Sequence, residues 1–161
     1  MIQKIDNLII PYFQRYGILF LRISLGIVFF WFGILKFFPN TSPAESLATR
    51  TIDVITFGKL SHDISIKMLA LWESLIGLGL LTNTFRRTTL FLLWSQMVGA
   101  WLPLAVFPAE MFVIFPFVLT LEGQYIVKNL VLISASFVLA AHIHSTNKKY
   151  EILNKKVGSA G

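Results

Sequence analysis

Hydrophobic residues form four long stretches in this chain, and polar residues bound each of them. The stretches cover residues 17–38, 64–81, 89–107 and 125–141. As a helix, the first stretch is about 33 Å long at about 1.5 Å per residue, and the hydrocarbon core of a bilayer is about 30 Å thick. The other three are shorter but fall within the usual range for a membrane span. The pattern therefore predicts four transmembrane helices.

A fifth apolar run, residues 111–121, is too short to cross a bilayer and is interrupted by Pro116. We interpret it as an interfacial or re-entrant segment. Nowhere does the chain show the ten-residue alternation of an outer-membrane barrel, so we expect helices rather than strands. The predicted fold class is an all-α integral membrane protein, a four-transmembrane-helix bundle.

The loop after the first span has its own helical signal. Residues 42–45 read SPAE, a capping box with Pro43 at the first helical position. Apolar residues then recur at helical spacing until Gly58; they are Ala44, Leu47, Ala48, Ile52 and Ile55. This pattern predicts a short amphipathic helix in the first outer loop, lying on the membrane surface.

The chain divides into three parts on this interpretation. Residues 1–16 mix apolar and charged side chains and are predicted to form an amphipathic interfacial segment. Residues 17–141 form the four-helix membrane domain. Residues 142–161 form a basic cytoplasmic tail, whose final GSAG resembles a linker. The first span is expected to be a retained anchor, since it lacks the features of a cleaved signal peptide.

Composition supports the membrane assignment and excludes several kinds of chemistry. Hydrophobic residues make up 55% of the 161 residues and charged residues only 14%, whereas soluble domains are about 25% charged. The mean hydropathy is +0.70. The chain contains no cysteine, which excludes disulfides, thiol nucleophiles, iron–sulfur clusters and covalently attached c-type haem.

The net charge of +6 is distributed as in a membrane protein, so nucleic acid is not an expected partner. Eight of the 14 Lys and Arg residues flank the spans on one side, near the two termini and in the turn at residues 82–88. The opposite loops carry three. The positive-inside rule therefore predicts that both termini are cytoplasmic.

Polar residues inside the spans define the predicted interior of the bundle, because a polar group in lipid is costly. Arg22, Gly26, Gly33 and Lys36 share one face of the first helix, and the two glycines permit close approach of another helix. Glu73 and Gly77 lie one above the other on the second helix. We predict structural roles for Arg22, Gly26, Gly33 and Gly77.

Lys36 and Glu73 fall at depths that allow them to pair. Four further polar residues are predicted on the same outer side, namely Glu122, Gln124, Lys128 and Asn129. Gln96 falls nearer the middle, and Trp72 and Trp101 are expected to flank these groups. We predict that these residues line a polar pocket open toward the outside. Two interpretations of the Lys36–Glu73 pair stay open at this point, namely a ligand site and a structural ion pair that fixes helix register. No metal site is predicted, since the histidines are scattered.

Segments of three predicted helices resemble the DoxX-like family of four-helix membrane proteins. Residues 21–29 and 32–37 read LRISLGIVF and FGILKF, residues 72–80 read WESLIGLGL, and residues 121–130 read LEGQYIVKNL. The similarity extends over about residues 16–142 and places Arg22, Gly33, Lys36, Glu73, Gly77, Glu122, Gln124, Lys128 and Asn129 on family-like positions.

The resemblance implies a location in a bacterial cytoplasmic (inner) membrane. It also implies a link to redox systems, because relatives are associated with the small subunit of thiosulfate:quinone oxidoreductase and with oxidoreductase assemblies that counter oxidative stress. Because this chain has no cysteine, any sulfur chemistry would need a partner protein or a bound quinone.

Three functional hypotheses follow. In the first, the chain is the membrane subunit of a redox-related system and binds a quinone-like ligand in the outer pocket, with Glu73 as proton carrier and a redox partner protein or a second copy as partner. In the second, it is a non-catalytic scaffold whose Lys36–Glu73 pair is structural. In the third, it is a small proton-coupled transporter.

Overall fold

The computed structural model describes residues 2–39, 41–42 and 45–158. Helices dominate, and one small hairpin interrupts them. The elements are α1 (Ile2–Leu35), α2 (Glu45–Thr56), α3 (His62–Thr82), α4 (Arg86–Val106), α5 (Pro108–Met111), β1 (Phe112–Ile114), β2 (Val118–Leu119), α6 (Leu121–Val127) and α7 (Asn129–Gly158).

Among the described residues, four helical segments are long and apolar enough to cross a membrane, which confirms the predicted four-helix bundle. They are Ile5–Leu35, His62–Thr82, Arg86–Val106 and Leu121–Thr146. The fourth combines α6 and α7, which are separated only by Lys128, whose backbone N–H still bonds to Gln124 O. We call the end of the bundle with both chain termini and the α3–α4 turn the terminal end, and the opposite end the capped end.

The first helix continues without a break from the predicted interfacial segment into the first span. α1 includes Pro11 and runs to Leu35, so residues 2–16 and the first span belong to one helix. The interfacial position of residues 2–16 stays a prediction. At the other end of the chain, α7 continues to Gly158, and the rest of the GSAG sequence lies outside the described residues.

Close packing of α1 against α3 forms the central contact of the bundle. A β-carbon at Gly33 would lie 2.5 Å from Ser74 N and 2.6 Å from Ser74 Oγ, and one at Gly77 would overlap the backbone of Phe30. A β-carbon at Gly26 would lie 2.9 Å from Leu81 Cγ. The absence of side chains at these positions therefore allows the two backbones to approach closely.

An apolar core lies between the four long helices, and many large apolar side chains face outward, as expected for contact with lipid. The buried core residues are Leu25, Phe29, Ile76, Leu80, Leu90, Leu93, Met97 and Leu139. One polar contact joins α4 to α7: Trp94 Nε1 donates to Oγ of the fully buried Ser136 at 2.8 Å. Because this N–H has a buried acceptor, the contact fixes the two helices relative to each other.

The amphipathic helix predicted in the first loop is present as α2, which packs against α3 and α4. Its predicted N-terminal capping box includes residues 43–44, which lie outside the described residues. The helix ends at Thr56, and Gly58 follows with a φ of +72° and donates its N–H to Asp53 O at 2.9 Å. The predicted end of the helical pattern at Gly58 agrees with this turn.

The fifth apolar run adopts a structure that the sequence pattern does not predict. It contains the end of α5 and an antiparallel hairpin of β1 and β2, in which Phe112 pairs with Leu119 and Ile114 with Val118. Pro116 lies in the turn, where its missing N–H interrupts no ladder. At the capped end, α2 packs against α3 and α4, and the hairpin packs against α5 and α6.

Candidate functional site

Three polar side chains, from α3, α4 and the residue directly after α1, meet inside the apolar bundle. Lys36 Nζ lies 2.5 Å from Glu73 Oε2, and Gln96 Nε2 donates to Glu73 Oε1 at 2.8 Å. The exposed fractions of Lys36, Glu73 and Gln96 are 7%, 8% and 9%. We call these three residues the buried polar cluster.

Each helix places its residue by a simple local arrangement. Lys36 follows the last residue of α1, and its ammonium also lies 3.4 Å from Phe32 O, one turn back. Glu73 lies on α3, near the close contact of that helix with Gly33. Gln96 lies on the face of α4 that is buried against the core. The carboxylate is therefore held from two sides by helices that the core keeps in register.

The apolar surroundings of the buried polar cluster determine what its charged groups need and what they can do. A carboxylate in an apolar interior needs compensation for the lost water, and here an ammonium and an amide supply it. The charge-assisted contact with Lys36 is short, as such bonds usually are. A cluster of this kind can hold a structure together, or it can hold and release a proton when a ligand changes its surroundings.

The two tryptophans predicted near the cluster have different environments. Trp72 Nε1 donates to Leu92 O of α4 at 3.0 Å, so its indole fastens α3 to α4. The Trp101 indole nitrogen is buried and has no hydrogen-bond partner among the described residues. Since a buried indole N–H normally finds an acceptor, Trp101 provides an unsatisfied donor on the same helix as Gln96.

The remaining predicted ligand residues lie on α6 and at its junction with α7. Glu122, Gln124 and Lys128 are exposed, and Asn129 is half-buried. The Lys128 ammonium lies 3.8 Å from the centre of the Tyr125 ring. The contacts described for these residues are not with the buried polar cluster, so the structure does not bring the full predicted set together.

Arg22 has a contact that the sequence analysis did not resolve. Its Nη1 donates to the carbonyl of Leu80 and to that of Leu81, at 3.1 Å in the second case. These carbonyls belong to the last turn of α3, where the helix leaves acceptors without intrahelical partners. A cation at a helix C-terminus is also favoured by the helix dipole. Arg22 therefore caps α3 from α1.

An ion pair at the capped end was not predicted from the sequence. Arg50 of α2 forms two hydrogen bonds to the Glu110 carboxylate of α5, at 3.0 and 2.6 Å, and lies 4.6 Å from the centre of the Phe107 ring. The hydrogen bonds from Arg50 lower the pKa of Glu110 below its ordinary value of 4.5. The two residues are 60 positions apart in the chain, and no local pattern indicates their contact.

Comparison with known proteins gives one family match. The DoxX family model matches residues 17–107, a region that contains the buried polar cluster, the glycine contacts between α1 and α3, and Arg22. No curated protein and no solved structure matches the chain.

Proposed function

We propose that this chain, which belongs to the DoxX family of membrane proteins, is the membrane subunit of a redox-related system and binds a quinone-class ligand beside its buried polar cluster. The observation that carries the proposal is a carboxylate, Glu73, buried with a charged donor inside a membrane-spanning bundle. Ionisable groups at such a depth are costly and usually serve a function.

The donors near the capped half of the bundle suit a ligand with carbonyl oxygens. Trp101 offers a buried N–H with no acceptor among the described residues. The Lys36 ammonium carries three N–H donors, of which one reaches Glu73 and one makes a long contact to Phe32 O. A quinone headgroup, when bound, supplies two carbonyl acceptors and reversible transfer of two electrons and two protons.

The chain's own residues would prepare the site for that chemistry. Glu73 holds a proton or releases it, Gln96 orients the carboxylate, and Lys36 balances its charge. Because the chain has no cysteine, any sulfur chemistry would need a partner protein or a bound quinone. We therefore propose that a redox partner protein, or a second copy of the chain with such a partner, completes the system.

A scaffold function is the second candidate, and one specific observation favours it. Both oxygens of Glu73 already have donors, Lys36 on Oε2 and Gln96 on Oε1. A fully satisfied buried cluster can specify helix register without any ligand. In that case the chain would hold or stabilise an assembly, and the cluster would matter only for folding.

A quinone titration separates the two candidates. The purified chain in lipid nanodiscs is titrated with a short-chain ubiquinone and a short-chain menaquinone, and bound quinone is quantified by mass spectrometry. Glu73→Gln and Trp101→Phe are compared with Glu122→Gln, which removes an exposed carboxylate outside the cluster. We expect stoichiometric binding that is about tenfold weaker in the first two variants, equivalent to about 1.4 kcal/mol, and unchanged in the third.

Equal binding in all three variants, or no binding by well-folded wild type, would refute the quinone site. Co-purification of one specific partner protein with wild type and Glu73→Gln alike would then favour the scaffold.

We also propose an orientation with both termini cytoplasmic in a bacterial inner membrane. The basic residues at the terminal end support it through the positive-inside rule. Because the chain has no cysteine, single cysteines at Ser145 and Lys59 can be labelled separately with a membrane-impermeant maleimide on intact cells. Labelling of the Ser145 site before lysis would contradict this orientation.

A further inference from the structure

A cavity of about 270 Å³ opens at the terminal end of the bundle, on the side opposite to the buried polar cluster. It lies between α1, α3, α4 and α7. Three arginines and one histidine line it, namely Arg15, Arg22, Arg86 and His142. None of the described residues that line it is acidic. The cavity is thus a basic recess in a membrane-spanning protein.

The lining changes character with depth. Arg15, Arg86 and His142 are exposed and form the rim, whereas Leu80 and Leu139 are buried and form part of the floor. Such a recess offers charge at the entrance and apolar surface inside. This division matches an amphiphile with an anionic group at one end.

Arg22 connects the rim with the floor. Its Nη1 is engaged by the carbonyls of Leu80 and Leu81, which holds the guanidinium in place. A guanidinium has five N–H donors in a planar fork, so donors on Nη2 and Nε remain for an anion. A guanidinium held in one orientation can bind two oxygens of a phosphate at once, which a mobile lysine ammonium does less well.

We propose that this recess binds a phosphate ester, with the phosphate between Arg15, Arg22 and Arg86 and an apolar portion against Leu80 and Leu139. Two sources share this chemistry, an anionic phospholipid headgroup and a soluble phosphate. The apolar floor favours the phospholipid. General attraction of basic residues to anionic membrane surfaces does not require a recess, and this difference makes the proposal testable.

Neighbouring arginines of α4 provide a matched pair of variants. Arg86 lines the recess, whereas its sequence neighbour Arg87 lines only an adjacent groove with Phe85 and Thr88. Both are exposed, and each change to glutamine removes one positive charge from the same turn of helix. Arg22 is not used, because its replacement removes the cap of α3 and can prevent folding.

The experiment measures binding of the full-length chain in detergent by native mass spectrometry. Phosphatidylglycerol and phosphatidylcholine are titrated into wild type, Arg86→Gln and Arg87→Gln, and inorganic phosphate is titrated separately by calorimetry. We expect one phosphatidylglycerol bound in preference to phosphatidylcholine, about tenfold weaker in Arg86→Gln, as for one lost charge-assisted contact. Arg87→Gln should bind as wild type does.

The other outcomes are equally clear. Binding of inorganic phosphate with the same dependence on Arg86, and no selective lipid binding, would support the site with a soluble phosphate as its ligand. Equal weakening in both variants would show general surface attraction and would overturn the proposal, as would absence of both lipid and phosphate binding by folded wild type.

Discussion

Removing one member of the buried polar cluster should destabilise the bundle far more than removing all of it. In Lys36→Met, Glu73 loses the ammonium at 2.5 Å while only 8% of the residue is exposed. The carboxylate then either stays charged without its partner or takes up a proton, and both are unfavourable. Loss of one partner of a buried pair costs about 3–5 kcal/mol of unfolding free energy.

When the other two members are removed one after the other, we expect the unfolding free energy to recover first in part and then almost fully. In Lys36→Met/Glu73→Leu the buried charge is gone, but the Gln96 amide loses its acceptor, which costs about 1–3 kcal/mol. Adding Gln96→Leu removes that unsatisfied donor. Because apolar replacement of a buried ionic group is often neutral or stabilising, we expect the triple variant to lie within about 2 kcal/mol of wild type.

Equilibrium unfolding in mixed micelles with increasing sodium dodecyl sulfate gives these free energies, provided that refolding is reversible. Each tenfold change in the unfolding constant corresponds to about 1.4 kcal/mol. The four proteins form a stepwise series, in which each difference gives the free energy of removing the next residue. Adding the single variant Glu73→Leu completes a double-mutant cycle that measures the coupling between Lys36 and Glu73. Circular dichroism of each folded variant checks that the helices persist.

Two results would refute the reasoning. A loss below about 1 kcal/mol in Lys36→Met would mean that the carboxylate is not held by its partner to the extent that burial implies. A triple variant as unstable as the single one would mean that shape, rather than polar satisfaction, decides stability at this position. A stable triple variant that no longer binds quinone would in addition show that the cluster has a role beyond folding.

Two further predictions concern the helix contact and the capped end. Gly77→Ala places a methyl group on the Phe30 backbone and should cost about 1–3 kcal/mol by overpacking. Gly99→Ala, with nothing within 4 Å, should be neutral or slightly stabilising in the same unfolding assay, because Ala favours a helix more than Gly does. Equal effects would contradict the close contact. Arg50 lowers the pKa of Glu110 below 4.5. Their pair should therefore stabilise the docking of α2 at pH values above the unfolded-state pKa of Glu110. This contribution should be lost as the pH falls through the lower folded-state pKa of Glu110. Hydrogen exchange of the α2 amides should therefore show more opening in acid, beyond the intrinsic pH dependence of exchange, and an unchanged acid response in Glu110→Gln would contradict this.

The four spans could be predicted from the sequence because hydropathy and length directly reflect the thickness of the bilayer. The hairpin of β1 and β2 could not. Its apolar run has neither strict alternation nor a clear helical period, and its pairing depends on the packing of α5 and α6 nearby. A short apolar segment with a proline allows several structures, and tertiary contacts select among them.

In the candidate site as well, the local sequence pattern predicts some contacts, and long-range packing determines the others. Depth along two helices places Lys36 beside Glu73, because each span crosses the same layer. Rotation about the helix axis is less constrained by sequence, so the pattern does not show that the Trp72 indole donates to Leu92 O of α4. The exposure of Lys128 likewise depends on which face the fourth span turns outward.

The two polar regions of the bundle differ in what a ligand would have to do. At the buried polar cluster the strongest donors and acceptors already satisfy one another, so a ligand there must compete with an existing ion pair or use the Trp101 N–H. At the terminal recess the positive side chains face a cavity whose described lining has no acidic group, so an anion adds contacts without displacing any ion pair. Occupancy of the recess should therefore depend mainly on charge, whereas occupancy near Glu73 should depend on a rearrangement of Lys36 and Gln96.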